Sequence, residues 1–342
     1  MPGNSNQELP ASMKVTEFML NLMKQIVEHR KVTESTATAY IKTLYMLNDK
    51  EPFKTLTFLK KTDELEKKIA EYAETTQRSI FTSITSVLSI VKDKPTFKKT
   101  YAHYYERMMG KAKDLKSDTD DAKKTEKQKD AWIEWKDVEA KLKELHTKVA
   151  EFGSAKTLTS AQYETLLKYV ILALYTYHQP RRNQDYMDMY VATKWTAESP
   201  KDKNYLVMSG KTPQKFVFNK FKTQKTYGQQ VIPIENTADK PLADCIATYL
   251  KHHPLVKGNK SKTAEYKFLV NYDGTPLSSV NAITRILNKI FSKKIGSSML
   301  RHIYLSSKYD IGDMEKDATA MGHSLEEQRK YLKEKDPKPP SV

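Results

Sequence analysis

Between Gly110 and Asp130 the chain reads GKAKDLKSDTDDAKKTEKQKD, a stretch almost without apolar side chains. Such a stretch buries too little surface to join a core, so it reads as a solvated linker or an exposed helix and separates what folds on either side. The chain has 342 residues, enough for two cores. The expected organisation is a loose tail over residues 1–13, a helical unit over 14–109, the charged linker over 110–130 and a second domain over 131–342.

In the first unit, VTEFMLNLMKQIVEHR, TATAYIKTLYMLND and TTQRSIFTSITSVLSIVK carry apolar residues at helical spacing. Thr and Ser stand at N-cap positions and no strand alternation is visible, which predicts an all-helical unit. Past the linker, AWIEWKDVEAKLKELHTKVA and SAQYETLLKYVILALYTYHQ are again helical, the second apolar enough for a core helix. After Pro180 the pattern is mixed. NYLVMS and KFVFNKF read as strands, and VIPI, after the Gly228 turn, pairs with the second as a hairpin. KFLVNYDGTPLSS is one more short extended segment with a turn, and NAITRILNKIFSKK returns to helix. The predicted class is mainly α with a small antiparallel β-sheet: an α+β second domain behind an all-helical first.

Charge narrows the partners. The 58 Lys+Arg against 42 Asp+Glu leave a formal net charge of +16, which favours a polyanion over acidic small molecules. No stretch approaches the roughly 18–20 apolar residues of a spanning helix. The first residues, MPGNSNQELPASMK, lack the apolar core of a secretory signal, and a single cysteine, Cys245, cannot form an internal disulfide. These features predict a soluble, intracellular, DNA-associated protein that is not secreted.

Four short signals follow one another in the second domain. In HQPRRNQDY, Arg182 precedes Asp185 by three residues, and a guanidinium fixed by a carboxylate suits bidentate grip of a phosphate. The bland alternative is a surface ion pair. In KFVFNKFKTQKTYGQQVIPI, Lys222 and Lys225 lie at or near the hairpin tip, able to reach a DNA groove, or else simply solvated. In GSSMLRHIYLSSKY, Arg301 sits among apolar Met299, Leu300, Ile303 and Leu305, and needs a phosphate or a carboxylate as partner. In ATAMGHSLEEQRKYL, Gly322 and His323 form a turn and Tyr331 follows on a charged stretch. Asp310, Asp313 and Asp317, around Gly312, come nearest to an acidic cluster but read as a polar loop, and no phosphate-binding glycine loop is present.

Taken in order, these residues resemble the tyrosine recombinases, or phage-type integrases, and the PRRNQDY and KTQKTYG wording is similar to integrase-like proteins of large eukaryotic DNA viruses and their mobile elements. The resemblance spans the second domain and implies that the first unit is a core-binding domain completing a clamp on double-stranded DNA. It implies Tyr331 as nucleophile, Arg182 and Arg301 on the phosphate oxygens, His323 on the phosphate or the tyrosine proton, and Lys222 or Lys225 as the acid for the leaving oxygen. Asp185, Ser298 and His302 are supporting. No metal or cofactor is implied, and the active species is a tetramer on DNA, monomeric when free. Three features depart from the family. Ser298 stands where the arginine box has its leading His, Tyr331 comes one residue early after His323, and both hairpin lysines remain open. The rival readings are a type IB topoisomerase, a DNA-binding protein that has lost catalysis, and a basic RNA- or chromatin-associated protein.

Overall fold

The computed structural model describes residues 13–120, 124–187, 189–234, 240–257, 265–277, 279, 281–308, 317–323, 327, 328 and 331, with the side chains of 114–120 excepted. The chain divides into two compact units, Met1–Asp121 and Ala122–Val342. The tail before residue 13, Asp310, Asp313 and the chain beyond Tyr331 lie outside the described residues.

The first unit is helical throughout its described residues: α1 (Glu17–Arg30), α2 (Glu34–Leu47), a short 3-10 turn at Thr57–Lys60, α3 (Thr62–Ala70), α4 (Glu74–Leu88) and α5 (Pro95–Asp120). Its starts follow from side-chain chemistry. Thr16 accepts from the Met19 amide and Thr33 from that of Thr36, satisfying donors the helix cannot. The core is drawn at helical spacing, with Met19, Leu22 and Ile26 from α1, Ile41 and Leu44 from α2, and Ile80, Ile84 and Val87 from α4. Each such side chain contributes about 1.5–3 kcal/mol on burial. Tyr104 of α5 is wholly buried, and its hydroxyl donates to the Leu59 carbonyl at 3.0 Å. Helix α5 runs on to Asp120, into the charged stretch.

The second unit opens with α6 (Glu126–Ala131) and α7 (Trp135–Ala150), followed by α8 (Ser160–Thr176). Helix α8 starts with a capping box between Thr159 and Gln162 and buries ten residues, from Tyr163 to Tyr175, so it is covered on nearly every side. A short helix α9 (Asn183–Met187) leads to β1 (Met189–Ala192), β2 (Asn204–Ser209) and β3 (Thr212–Phe218). Then come α10 (Gln224–Tyr227), β4 (Gln230–Pro233), α11 (Lys240–Lys251), α12 (Pro254–Lys257), β5 (Glu265–Lys267), α13 (Asn281–Phe291) and α14 (Ser297–Ser307).

The strands form one sheet in the order β4-β3-β2-β1-β5. The expected β3–β4 pair is there, with Phe216 opposite Ile232 and Phe218 opposite Gln230. The sheet is mixed rather than wholly antiparallel, because β1 pairs parallel to β2. Its two faces follow the period-two pattern of strands. Leu206, Phe216 and Phe218 join the large core with α8, while Tyr205, Val207 and Val217 close a smaller cluster with Ala192 on the other side.

Two local devices bring the site together. Asn204, fully buried on β2, donates to the carbonyls of Asp185 and Lys220 and accepts from the amides of Asn219 and Lys220. It thereby fixes α9 to the point where the chain leaves β3. Residues 317–321 form one helical turn that ends at Gly322. There Gly322 donates to the Thr319 carbonyl and His323 to that of Ala318, the two bonds of a Schellman cap. Gly322 has φ +70°, and a Cβ there would stand 2.9 Å from a Phe221 ring carbon, so glycine is required on both counts.

Candidate active site

Arg301 lies on α14, a helix whose Leu300, Ile303 and Leu305 pack inward. It is only 5% exposed, and its Nε and Nη1 have no hydrogen-bond partner among the described residues. Burial pulls its guanidinium below the usual arginine range, and the charge of Arg182 nearby pulls it the same way. A buried cation with unpartnered nitrogens is costly, and an anion bound there would offset that cost.

Tyr331 stands against it. The guanidinium carbon of Arg301 is 4.7 Å from the Tyr331 ring centroid. The ring is buried with Tyr304, Leu305 and Met321, and two imidazoles touch it, His302 at 4.9 Å and His323 at 5.5 Å between centroids. His302 Nδ1 lies 2.6 Å from the Tyr331 carbonyl, a bond in which the ring nitrogen must donate. His323 is fully buried, with Nε2 3.2 Å from Met321 Sδ. Arg301, His302, His323 and Tyr331 therefore meet although they come from three separate stretches of chain.

Around Asp185 the arrangement differs from the expected one. Its hydrogen-bonded partner is Arg181, Nε to Oδ2 at 2.9 Å, both side chains being nearly inaccessible. Arg182 is half-buried instead, and it reaches Asp185 and Arg301 through its charge. Burial pushes the Asp185 carboxyl up, against the downward pull of Arg181 and, more weakly, Arg182 and Arg301. The sequence could not separate the two arginines, because three and four residues before Asp185 are both helical spacings. The inward choice belongs to Arg181 because Phe218 offers its ring face, 3.8 Å from the guanidinium carbon.

The connection between β3 and β4 holds a helical turn, α10, rather than a tight hairpin tip, and Lys222 stands just before that turn. Lys222 and Lys225 are both exposed. Lys222 follows Phe221, whose ring packs beside Gly322 and 5.2 Å from the Arg181 guanidinium carbon, so its backbone is anchored at the Gly-His turn. Lys225 lies within the turn itself. Ser298 is exposed on the first turn of α14, while its neighbour Ser297 is buried beside Tyr175. Asp317 pairs with Lys308 at 3.1 Å, and the Lys308 ammonium lies over the Tyr304 ring, 4.9 Å from its centroid.

This set, an arginine whose Nε and Nη1 lack partners among the described residues, a second arginine, two imidazoles and a phenol, has the groups needed to hold an oxyanion beside a hydroxyl. No family model and no curated protein matches the chain. Among solved structures, one described as "Crystal structure of XerA recombinase" superposes with a TM-score of 0.37 at 11% identity, covering 93% of this chain and 94% of that one.

Proposed function

We propose that this protein cuts and rejoins DNA through a covalent phosphotyrosine intermediate, acting as a site-specific recombinase or integrase. The observation that carries the reading is the meeting of the Tyr331 ring with the buried Arg301 guanidinium, whose Nε and Nη1 lack partners among the described residues, flanked by His302 and His323.

A phenol is a weak nucleophile near neutral pH, so attack on a phosphodiester depends on positive charge fixed where the phosphorane-like state develops. In the proposed step the Tyr331 oxygen forms a bond to phosphorus and the bond from phosphorus to the 5′ oxygen breaks. His323 takes the phenol proton or hydrogen-bonds the phosphate. Arg301 and Arg182 hold the non-bridging oxygens, with Asp185 and His302 in support. Lys222 or Lys225 gives a proton to the departing oxygen. The ester energy stays in the tyrosyl bond, so another 5′ hydroxyl can reverse the step with no nucleotide consumed. Exchange between two duplexes needs four such centres, which makes a tetramer on DNA the active species.

The test is to incubate the protein with nicked duplex substrates in EDTA and to look for a covalent adduct on a denaturing gel beside Tyr331→Phe. An adduct that disappears in the variant is the expected result. DNA binding without any adduct would leave a protein that binds DNA and does not cut it. Relaxation of supercoils with no intermolecular joint product would point to topoisomerase action.

A further inference from the structure

We infer that Arg181 is a positioning residue that sets where His323 stands, by holding the end of the helical turn that delivers it; the inference rests on the reading of this site given above. Arg181 is 2% exposed, and its Nε and Nη1 are taken by acceptors within the protein. Its guanidinium lies over Phe218, and its Nε donates to Asp185, whose charge offsets its own. Its Nη1 donates to Gln230 Oε1 at 2.8 Å and also, closely, to the Ala320 carbonyl. Gln230, on β4, in turn donates its amide to the Thr319 carbonyl.

Thr319 and Ala320 lie in the last turn of the short helix at 317–321, whose terminal carbonyls lack partners within the helix. Cationic donors at such an end satisfy those carbonyls and align with the helix dipole. Arg181 and Gln230 thus clamp the turn from the sheet side. On the other side of Gly322 the chain enters His323 directly, and Arg181 Nη2 would be 3.3 Å from any Cβ at position 322. The clamp needs a planar fork with several donors, one for Asp185 and others for Gln230 and Ala320. Lysine, with a single nitrogen, cannot span those acceptors.

The experiment compares full-length wild type with Arg181→Lys and with Gln230→Leu, which removes the second half of the clamp without baring a buried charge. Three readouts are taken: the His323 imidazole signals by NMR over a pH series, the rise in melting temperature caused by inorganic phosphate, and the rate of adduct formation at saturating DNA. Both variants are expected to keep the phosphate response, which belongs to Arg301 and Arg182. Both should shift the His323 signals and their pH midpoint, and the adduct rate should fall by about ten- to hundredfold for Arg181→Lys, since small misplacements near a reacting centre have that effect. Unchanged His323 signals in both variants would overturn the inference. So would loss of the phosphate response in Arg181→Lys with the fold intact, because Arg181 would then be an anion ligand. If Arg181→Lys does not fold, Gln230→Leu alone decides through the same signals. If wild type forms no adduct, the recombinase reading fails, while the His323 signals still judge the clamp.

Discussion

At Arg301 a stability cost and a functional opportunity coincide. A guanidinium withdrawn from water, with Nε and Nη1 unpartnered among the described residues, is held in place by packing, with the Tyr331 ring face and the more weakly felt charge of Asp185 offsetting part of the desolvation. Two consequences follow. Arg301→Met should leave the anion-free protein as stable as wild type or more so, and inorganic phosphate should stabilise wild type but not the variant. At ten times its dissociation constant the gain is about 1.4 kcal/mol, read as a rise in melting temperature with phosphate concentration. Equal phosphate responses in the two proteins would place the anion elsewhere. The burial of this residue is legible in the sequence, where an arginine among Leu300, Ile303 and Leu305 demands an explanation. The burial of Arg181 is not, because it depends on Phe218, Phe221 and Gln230, none of which is near it in the chain. The Gly-His pair falls between. A turn is readable there, but the Schellman cap that makes glycine obligatory needs the carbonyls of Ala318 and Thr319 in three dimensions.

Among the elements, the long periodic ones are those the sequence discloses: α4, α8 and α13 stand out through apolar spacing, and β2, β3 and β4 through their β-branched and aromatic runs. Strand β1 does not. MYVA is four residues long, and it is strand because β2 accepts it in parallel on one side and β5 antiparallel on the other, tertiary events with no local trace. The lysine-bearing turn α10 is hidden for a similar reason, since its Thr and Gly residues are equally at home in a hairpin. The junction of α11 and α12 carries a prediction of its own. His253 is fully buried between Tyr249 and Tyr266, with Nε2 3.0 Å from the Phe268 carbonyl. Burial holds its pKa down to about 4 from the ordinary 6.5. The folded protein therefore keeps it neutral where the unfolded chain already binds a proton. Its contribution is complete above the unfolded value and is lost as pH falls from there toward the folded one, by up to about 3 kcal/mol. Urea unfolding at about pH 7 and about pH 5 should show that loss in wild type and a smaller one in His253→Gln; parallel losses would assign the pH dependence to other groups.

At the scale of the whole molecule, the two cores share no residue. One runs from Met13 to Tyr104 and the other from Ala131 to Ile303. Each carries enough buried apolar surface to fold by itself. Residues 1–121 and 122–342 expressed separately should each unfold cooperatively in calorimetry, the second keeping the phosphate response of Arg301; a fragment without a transition would show that its core depends on the other. Among the described residues no helix is long and apolar enough to cross a membrane. Within the second unit the clamp joins Arg181 to the Ala320 carbonyl across 139 positions of sequence, and His302 is joined to Tyr331 across 29. Contacts of such range form late, because the entropy of closing long loops opposes them until the intervening core has condensed. Under the proposed chemistry, a finished chain that has not yet folded, or one being unravelled for degradation, carries every reactive group and no means of aligning them. Breakage of DNA would be confined to molecules whose folding is complete.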